Sequence, residues 1–205
     1  PKTSSGTEPV EVYIIGNPPY LGSRNQDAEQ KADMKAVFHK DYKSLDYVSI
    51  WFYKGSKYIE GFNAQLAFVS TNSICQGLLV ALTWQRILNE NIEIGFAHQS
   101  FKWVNNAKAN AGVTVIIVGL RNTSNKPKWL FTESIAKEAK NINAYLLDSS
   151  NIYINSQNNS ISKFPPMNFG NMPADGGNLL FSEEEKNEFL ENEPQAKKWI
   201  KELIS

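Results

Sequence analysis

Short apolar runs alternate with amphipathic stretches along the first 125 residues. Four runs rich in β-branched and aromatic residues predict strands, at 10–16, 66–69, 92–97 and 112–120. Two segments repeat apolar residues mostly at three- and four-residue spacings and predict helices, at 45–62 and 78–89. Strands that alternate with helices indicate an α/β layer fold.

The order of these elements also constrains the sheet. The run at 112–120 is continuously apolar and is expected to be central. No obvious crossover helix separates it from the strand at 92–97, so the sheet is expected to be only partly parallel. The first strand, closed by Gly16, is interpreted as buried. The polar stretch 21–44 is interpreted as a long loop or a mobile helical excursion.

The character of the chain changes after about residue 125. Residues 140–163 are rich in asparagine and serine, which is typical of a meandering connection with short edge strands. Ser182 and Glu185 match a capping box, which predicts a helix over 183–190. Pro194 should end that helix, and the segment 196–204 is predicted to form another. The predicted domains are therefore 1–125, 126–164 and 165–205.

Composition narrows the classes of function. Lysine plus arginine equals aspartate plus glutamate at 21 each, so any nucleic-acid contact must be local. One cysteine, Cys75, and two distant histidines argue against a disulfide or a zinc centre and favour a reducing cytoplasm. The sequence has no apolar run of the roughly 18 residues that a membrane span needs.

The segment Asn17-Pro18-Pro19-Tyr20, directly after the first strand, is the strongest chemical signal. Two successive prolines fix the backbone and remove two N–H donors, which leaves a rigid edge of acceptors. The Asn17 side-chain oxygen and the Pro18 carbonyl can accept both hydrogens of a planar amino group, and Tyr20 can stack on its ring. Accepting both hydrogens makes the nitrogen more nucleophilic without a general base. The alternative is that the segment is only a stiff turn.

These residues and several later segments resemble the amino-group methyltransferases that use S-adenosylmethionine, above all the adenine-N6 DNA enzymes. The matching stretches are IIGNPPYLGS, LDYVSIWFYKGSKYI, LAFVSTNSICQG and SFKWVNNAKANAGVTVIIVGL, in the family's order. MNFGNMPADGGNLLFSEEE resembles the entry to the target-recognition region of single-chain restriction-modification enzymes of the MmeI kind. The fold implied is part of a Rossmann-like methyltransferase sheet, its second half with mixed strands, and a C-terminal α-helical appendage.

The resemblance assigns roles to individual residues. Asn17 and Pro18 hold the amino group of an adenine flipped out of double-stranded DNA, and Pro19 completes the catalytic segment. Tyr20 stacks on the base, and Phe101 and Trp103 are the candidates for its opposite face. Asn17 and Pro19 are also expected to line the S-adenosylmethionine site.

Four charged residues nearby are given mainly structural interpretations. Asp46 is interpreted as a charge at a helix N-terminus rather than as a pocket residue. Lys102, Lys108 and Arg121 could contact phosphates, although solvated surface is the favoured interpretation for each.

One part of the family pattern is missing. No glycine-rich turn that could cradle the cofactor precedes Val10. The chain is therefore expected to be the second half of a catalytic domain plus the first part of a recognition region. By itself it should be inactive and bind cofactor poorly, and its open sheet edge could pair with a second copy.

Two other functions remain open at this point. The same tetrapeptide could methylate the side-chain amide of a protein glutamine, since an amide nitrogen poses the same chemical problem. The chain could also be a non-catalytic DNA-recognition or scaffold fragment that keeps Asn-Pro-Pro-Tyr as a turn.

Overall fold

The computed structural model describes residues 10–102, 114–133, 135–157, 162–163 and 176–202. The chain divides into two compact units, 1–156 and 157–205. The described strands are β1 (Val12–Gly16), β2 (Ala64–Thr71), β3 (Ile92–Lys102), β4 (Thr114–Asn122), β5 (Lys128–Phe131) and β6 (Ala136–Ala139). The described helices are α1 (Ala28–Phe38), α2 (Val48–Ile59), α3 (Gly77–Trp84) and, in the second unit, α4 (Glu183–Asn192).

The strands form one mixed sheet in the order β1-β2-β4-β3-β5-β6. β1 is parallel to β2, and β4 is antiparallel to both of its neighbours, β2 and β3. The predicted mixed α/β sheet is confirmed, and so is the central place of the strand at 112–120. No helix of the described residues is long and apolar enough to cross a bilayer.

The prediction that the first strand is buried is wrong for the described residues. Among the described strands β1 pairs with β2 alone, so its other edge is open. Tyr13 is 62% exposed and Ile15 is 82% exposed. The β-branched pattern was read correctly as a strand, but no described element covers this face of it.

The main core lies between the sheet and helices α2 and α3. Phe52 of α2 and Trp84 of α3 are fully buried with ring centroids 5.3 Å apart. The Trp84 indole donates a 2.8 Å hydrogen bond to the Ile74 carbonyl, which anchors the 3₁₀ turn Asn72–Cys75 beneath the helix. The predicted helix at 78–89 is shorter than expected, since α3 ends at Trp84.

The polar stretch 21–44 contains a helix, the second of its two interpretations. Asp27 and Gln30 form a capping box at the start of α1, with hydrogen bonds of 2.8 and 3.0 Å. Met34 and Phe38 are fully buried in a second apolar cluster with Leu45. A 3₁₀ segment, His39–Ser44, then leads to α2.

The second unit begins its regular structure as predicted. Ser182 and Glu185 form the reciprocal capping box of α4. The further helix expected in 196–204 is wrong for the described residues, where the 3₁₀ segment Pro194–Lys198 stands instead. Gly176 and Gly177 have positive φ angles of 74° and 89° in a turn before α4, which glycine adopts without a steric penalty.

Candidate active site

The strand register brings the segment 17–20 and Phe101 to one edge of the sheet. Gly16 of β1 lies opposite Phe68 of β2, and Phe68 lies opposite Val118 of β4. Because β4 is antiparallel to its neighbours, the carboxyl ends of β1 and β3 emerge at the same edge. Residues 17–20 therefore leave the sheet on the side where Phe101 ends β3. This edge is where ligands bind in open α/β sheets.

The strand order sets the lateral separation of the two groups. Three interstrand steps separate β1 from β3, and each step is about 4.8 Å. β1 and β3 are thus roughly 14 Å apart across the sheet, and Phe101 lies farther along the strand direction than Asn17. Strands β2 and β4 lie between the two groups, so a ligand that contacts both groups would lie over this edge of the sheet.

The four residues of the Asn-Pro-Pro-Tyr segment differ in exposure. Asn17 and Pro19 are exposed, Pro18 is buried, and Tyr20 is half-buried against the main core. None of the peptide bonds in the described residues is cis. The segment thus presents the Asn17 amide at the surface, while the buried Pro18 anchors the segment to the rest of the protein.

Leu21, the next residue, is held through both of its backbone groups. Its N–H donates to Oδ1 of Asp46 at 2.8 Å. Its carbonyl accepts from the Tyr47 N–H at 3.0 Å and from Nε2 of Gln26 at 2.9 Å. The start of α2 therefore fixes the chain directly behind Tyr20.

The interpretation of Asp46 as a helix N-terminal charge is confirmed and extended. Its Oδ1 also accepts the Val48 N–H at 3.0 Å, which satisfies a free donor in the first turn of α2. One carboxylate oxygen thus joins the end of the Asn-Pro-Pro-Tyr segment to the helix. The sequence pattern indicated the helix contact but gave no signal for the contact with Leu21.

Phe101 lies at the end of β3 in a row of aromatic side chains. It is half-buried, and its ring meets the His98 ring edge to face at a centroid distance of 4.6 Å. His98 in turn stacks on Phe131 at 6.4 Å. A register shift in β3 between His98 and Phe101 turns this end of the strand. Trp103 and Lys108 lie outside the described residues.

The favoured interpretation of Arg121 as solvated surface is wrong. Arg121 is only 9% exposed, and its Nε lies 2.8 Å from Oε1 of Glu93. The remaining guanidinium nitrogens donate to the carbonyls of Lys126 and Pro127. Arg121 is therefore unavailable to a phosphate, whereas Lys102 is exposed at the sheet edge.

Cys75 packs as a small apolar group. It is 6% exposed in the main core beneath α3. Burial raises the pKa of its thiol well above the ordinary value of 9.0, with a smaller opposing effect from a hydrogen bond to Trp84. The thiol therefore stays neutral and takes no part in the chemistry of the site.

Sequence reasoning missed Gln26. It is 3% exposed, and its Nε2 donates to the carbonyls of Leu21 and Leu45, both at 2.9 Å. Beside it lies an open cleft of about 350 Å³ lined by Gly22, Ser23, Arg24, Asn25, Ser44, Asp46, Ser73 and Leu79. The only available signal was a glutamine immediately before a capping box, which is too common to mark a site.

The described residues fit only part of an S-adenosylmethionine site. Asn17 and Pro19 are exposed at the correct edge to face a cofactor. The sequence contains no G-x-G-x-x-G pattern that could cradle it between a strand and a helix. Asn17 and Pro19 are thus the described residues that could face S-adenosylmethionine.

Two family models and a curated protein match this chain. The model of the MmeI DNA-methyltransferase domain matches residues 1–132, and that of the MmeI target recognition domain matches residues 148–205. DNA methyltransferase A of Bacillus subtilis (strain 168) is 47% identical over 197 residues, which are 95% of this chain and 22% of that protein.

A solved structure has the same fold. The type IIL restriction-modification enzyme MmeI in complex with DNA superposes with a TM-score of 0.83 at 41% identity, over 91% of this chain and 26% of that one. The chain thus spans about a quarter of the length of these relatives. On the fold, the site segment and these matches, the chain belongs to the MmeI family of DNA methyltransferases.

Proposed function

We propose that the full-length protein containing this chain transfers a methyl group from S-adenosylmethionine to the N6 amino group of adenine in DNA. It would act as a restriction-modification or related phage-defence enzyme. One observation carries the proposal: Asn17 stands exposed at the carboxyl edge of β1, while Pro18 is buried and Leu21 is locked behind it. A fixed acceptor at a ligand-binding edge is what activation of an amino group requires.

The chemistry follows from the acceptors. The Asn17 side-chain oxygen and the Pro18 carbonyl each accept one hydrogen of the adenine amino group. Their partial negative charges draw the two hydrogens toward them, so the nitrogen lone pair is less delocalised into the purine ring. Because the two prolines hold the backbone that carries both acceptors, little reorganisation of that backbone is needed in the transition state. S-adenosylmethionine would supply the methyl group when bound: the nitrogen–carbon bond would form as the sulfur–methyl bond breaks, and the methylated nitrogen would lose one of its two hydrogens as a proton to solvent.

The aromatic residues hold the base. A flipped adenine loses its stacking in the duplex, which costs a few kcal/mol. Tyr20 stacks on one face, and Phe101, across the roughly 14 Å between strand backbones, approaches the other. Each base-aromatic stack contributes about 1–3 kcal/mol, so two stacks offset extrusion. Trp103 is the second candidate for the opposite face.

DNA is favoured over a protein glutamine as the substrate. The family is named for DNA methylation, and the solved MmeI structure is a complex with DNA. Residues 148–205 match a target recognition domain, which a protein-modifying enzyme would not need. Double-stranded DNA is therefore the proposed partner, and the neutral net charge places its contacts at local patches.

Replacement of Asn17 by alanine tests the proposal. In the full-length enzyme, Asn17→Ala should lower the rate of tritiated methyl transfer to DNA about 10²- to 10³-fold, the usual cost of losing one preorganised hydrogen bond. Asn63→Ala, an exposed asparagine just before β2 at the opposite edge, is the matched control and should keep the wild-type rate.

The same assay identifies the substrate and the methylated atom. Methyl label should appear in DNA, and nucleoside analysis should find it on N6 of adenine. Label in a release-factor-like protein instead would favour glutamine methylation, and label in neither would favour the scaffold function. Transfer to DNA that survives Asn17→Ala would remove Asn17 from the mechanism.

A further inference from the structure

We propose that Gln26 is a positioning residue that holds the Asn-Pro-Pro-Tyr segment in its catalytic placement. This inference rests on the proposed function of that segment. It concerns a buried side chain that lies six residues beyond Tyr20 and is not part of the tetrapeptide. Three features of Gln26 carry it: the carbonyls it binds, the way its backbone is fixed, and an acceptor that it leaves unsatisfied.

The two carbonyls that Gln26 binds belong to different parts of the fold. Leu21 directly follows Tyr20, and Leu45 directly precedes Asp46 at the start of α2. Nε2 lies 2.9 Å from each carbonyl oxygen; the bond to Leu45 is buried, and the bond to Leu21 is partly buried. One amide group therefore ties the end of the catalytic segment to the base of the helix that packs on the sheet.

The backbone of Gln26 is itself fixed. Gln26 stands immediately before Asp27, whose capping box with Gln30 begins α1. On its other side, the Asn25 N–H donates to the Gly22 carbonyl at 2.9 Å, which closes a turn. This turn brings the chain back so that the Gln26 side chain reaches Leu21. The capping box thus orients Gln26, and Gln26 orients Leu21.

The amide of Gln26 is not optimised for stability. Its Oε1 is buried and has no hydrogen-bond partner in the described structure. A buried acceptor without a donor is destabilising and is uncommon in native proteins. Such departures from ideal packing are concentrated where a function requires them. An apolar residue at position 26 would fill the same space without binding the carbonyls of Leu21 and Leu45. It would also leave no buried oxygen without a hydrogen-bond partner.

We expect Gln26 to control the distance between the Asn17 and Pro18 acceptors and the amino group of the substrate. Catalysis that depends on two fixed acceptors is sensitive to their placement, since a displacement of about 1 Å can lower a rate about 10²-fold. Without the Gln26 bonds, Leu21 keeps only its contacts with Asp46 and the Tyr47 N–H. The segment would still fold but would sample positions in which Asn17 and Pro18 no longer grip the amino group together.

The test compares two variants of the full-length enzyme. Gln26→Met keeps the side-chain length and removes the amide. Asn122→Leu is the matched control, because Nδ2 of Asn122 also donates to two backbone carbonyls, those of Ile59 and Phe62, at the opposite edge of the sheet. Asn122 additionally accepts the Gly61 N–H, so its loss should cost at least as much stability as the loss of Gln26.

We expect Gln26→Met to lower kcat for methyl transfer to DNA about 10- to 100-fold and to change KM for DNA by less than about threefold. Asn122→Leu should lower the unfolding midpoint at least as much and leave kcat within about threefold of wild type. A structural role alone would not separate the two variants in this way. Equal losses of kcat, or no loss in Gln26→Met, would overturn the proposal.

Amide hydrogen exchange gives a second measurement that needs no activity. Gln26→Met should increase exchange in the peptide that contains Leu21 about tenfold or more, while Asn122→Leu should not. Unchanged exchange would show that Gln26 does not hold the loop and would overturn the proposal. If wild-type enzyme fails to methylate DNA, the proposed function is wrong, and the exchange result still decides whether Gln26 holds Leu21.

Discussion

Single residues in this protein are constrained most tightly where two strands approach each other closely. Gly119 of β4 lies under the ring of Phe96 on β3. The Phe96 ring is held edge to face against Phe131, with centroids 6.4 Å apart. A methyl group added at Gly119 would lie 2.8 Å from Cζ of Phe96 and still closer to Cδ1 and Cε1. The absence of a side chain at 119 thus makes room for the aromatic row that leads to Phe101.

Gly119→Ala is therefore expected to destabilise the protein. Displacing the Phe96 ring should cost about 1–3 kcal/mol, the usual range for overpacking a core. Gly22→Ala is the control, since nothing lies within 4 Å of its added methyl group. Urea unfolding followed by fluorescence measures both. A Gly119→Ala midpoint equal to that of Gly22→Ala would show that the ring moves aside freely.

At the scale of elements, a charged cluster joins the outer strands to the centre of the sheet. Glu93 of β3 accepts from Arg121 of β4 at 2.8 Å, and its other oxygen lies 2.9 Å from Nζ of Lys128 on β5. The three side chains are only 11–15% exposed. Arg121 also binds the carbonyls of the loop before β5. The cluster therefore stabilises the half of the sheet that carries Phe101.

Glu93→Gln keeps the shape of the side chain and removes its charge. Two cations would remain in a largely buried place without their counterion, so we expect a loss of about 2–4 kcal/mol in the free energy of unfolding. Lys57→Gln breaks the exposed Lys57–Glu60 pair and should cost less than about 1 kcal/mol. Thermal or urea unfolding distinguishes the two. Similar losses of unfolding free energy in the two variants would mean that the buried Glu93 cluster stabilises the protein no more than an exposed ion pair does.

At the scale of the whole molecule, β1 forms one edge of the described sheet, and one of its faces is largely uncovered. β1 pairs only with β2 among the described strands, and its outward side chains Tyr13 and Ile15 are largely exposed. An unpaired edge with exposed apolar residues is a template for another strand. The relatives are about four times as long as this chain, so further parts of such proteins have room to cover the edge.

The 205-residue chain on its own is therefore expected to self-associate. A charge on the exposed face of β1 should oppose pairing, so Ile15→Lys should shift the chain toward monomer in sedimentation experiments. Tyr58→Lys, on an exposed position of α2, is a control for the effect of charge alone. Equal sedimentation of Ile15→Lys and the parent chain would place the association elsewhere or exclude it.

Some features of the fold follow from the sequence alone. Strand and helix types were predicted correctly for β1 to β4, α2 and α3, because the pattern of apolar positions follows which face is buried. The capping box at Ser182 and Glu185 was also visible, since its contacts are three residues apart. Boundaries were less accurate, as α3 and the segment after Pro194 show, because helix ends depend on packing.

The sequence by itself determined the local chemistry: two prolines stiffen an edge of acceptors directly after a strand, whatever surrounds them. Only the tertiary structure decided what holds that edge and what else is near it. Gln26, Asp46 and Tyr47 meet at Leu21 from positions up to 26 residues away, and Arg121 is buried because Glu93 lies opposite on the next strand. Such contacts depend on the chain folding back on itself, which no local pattern of residues records.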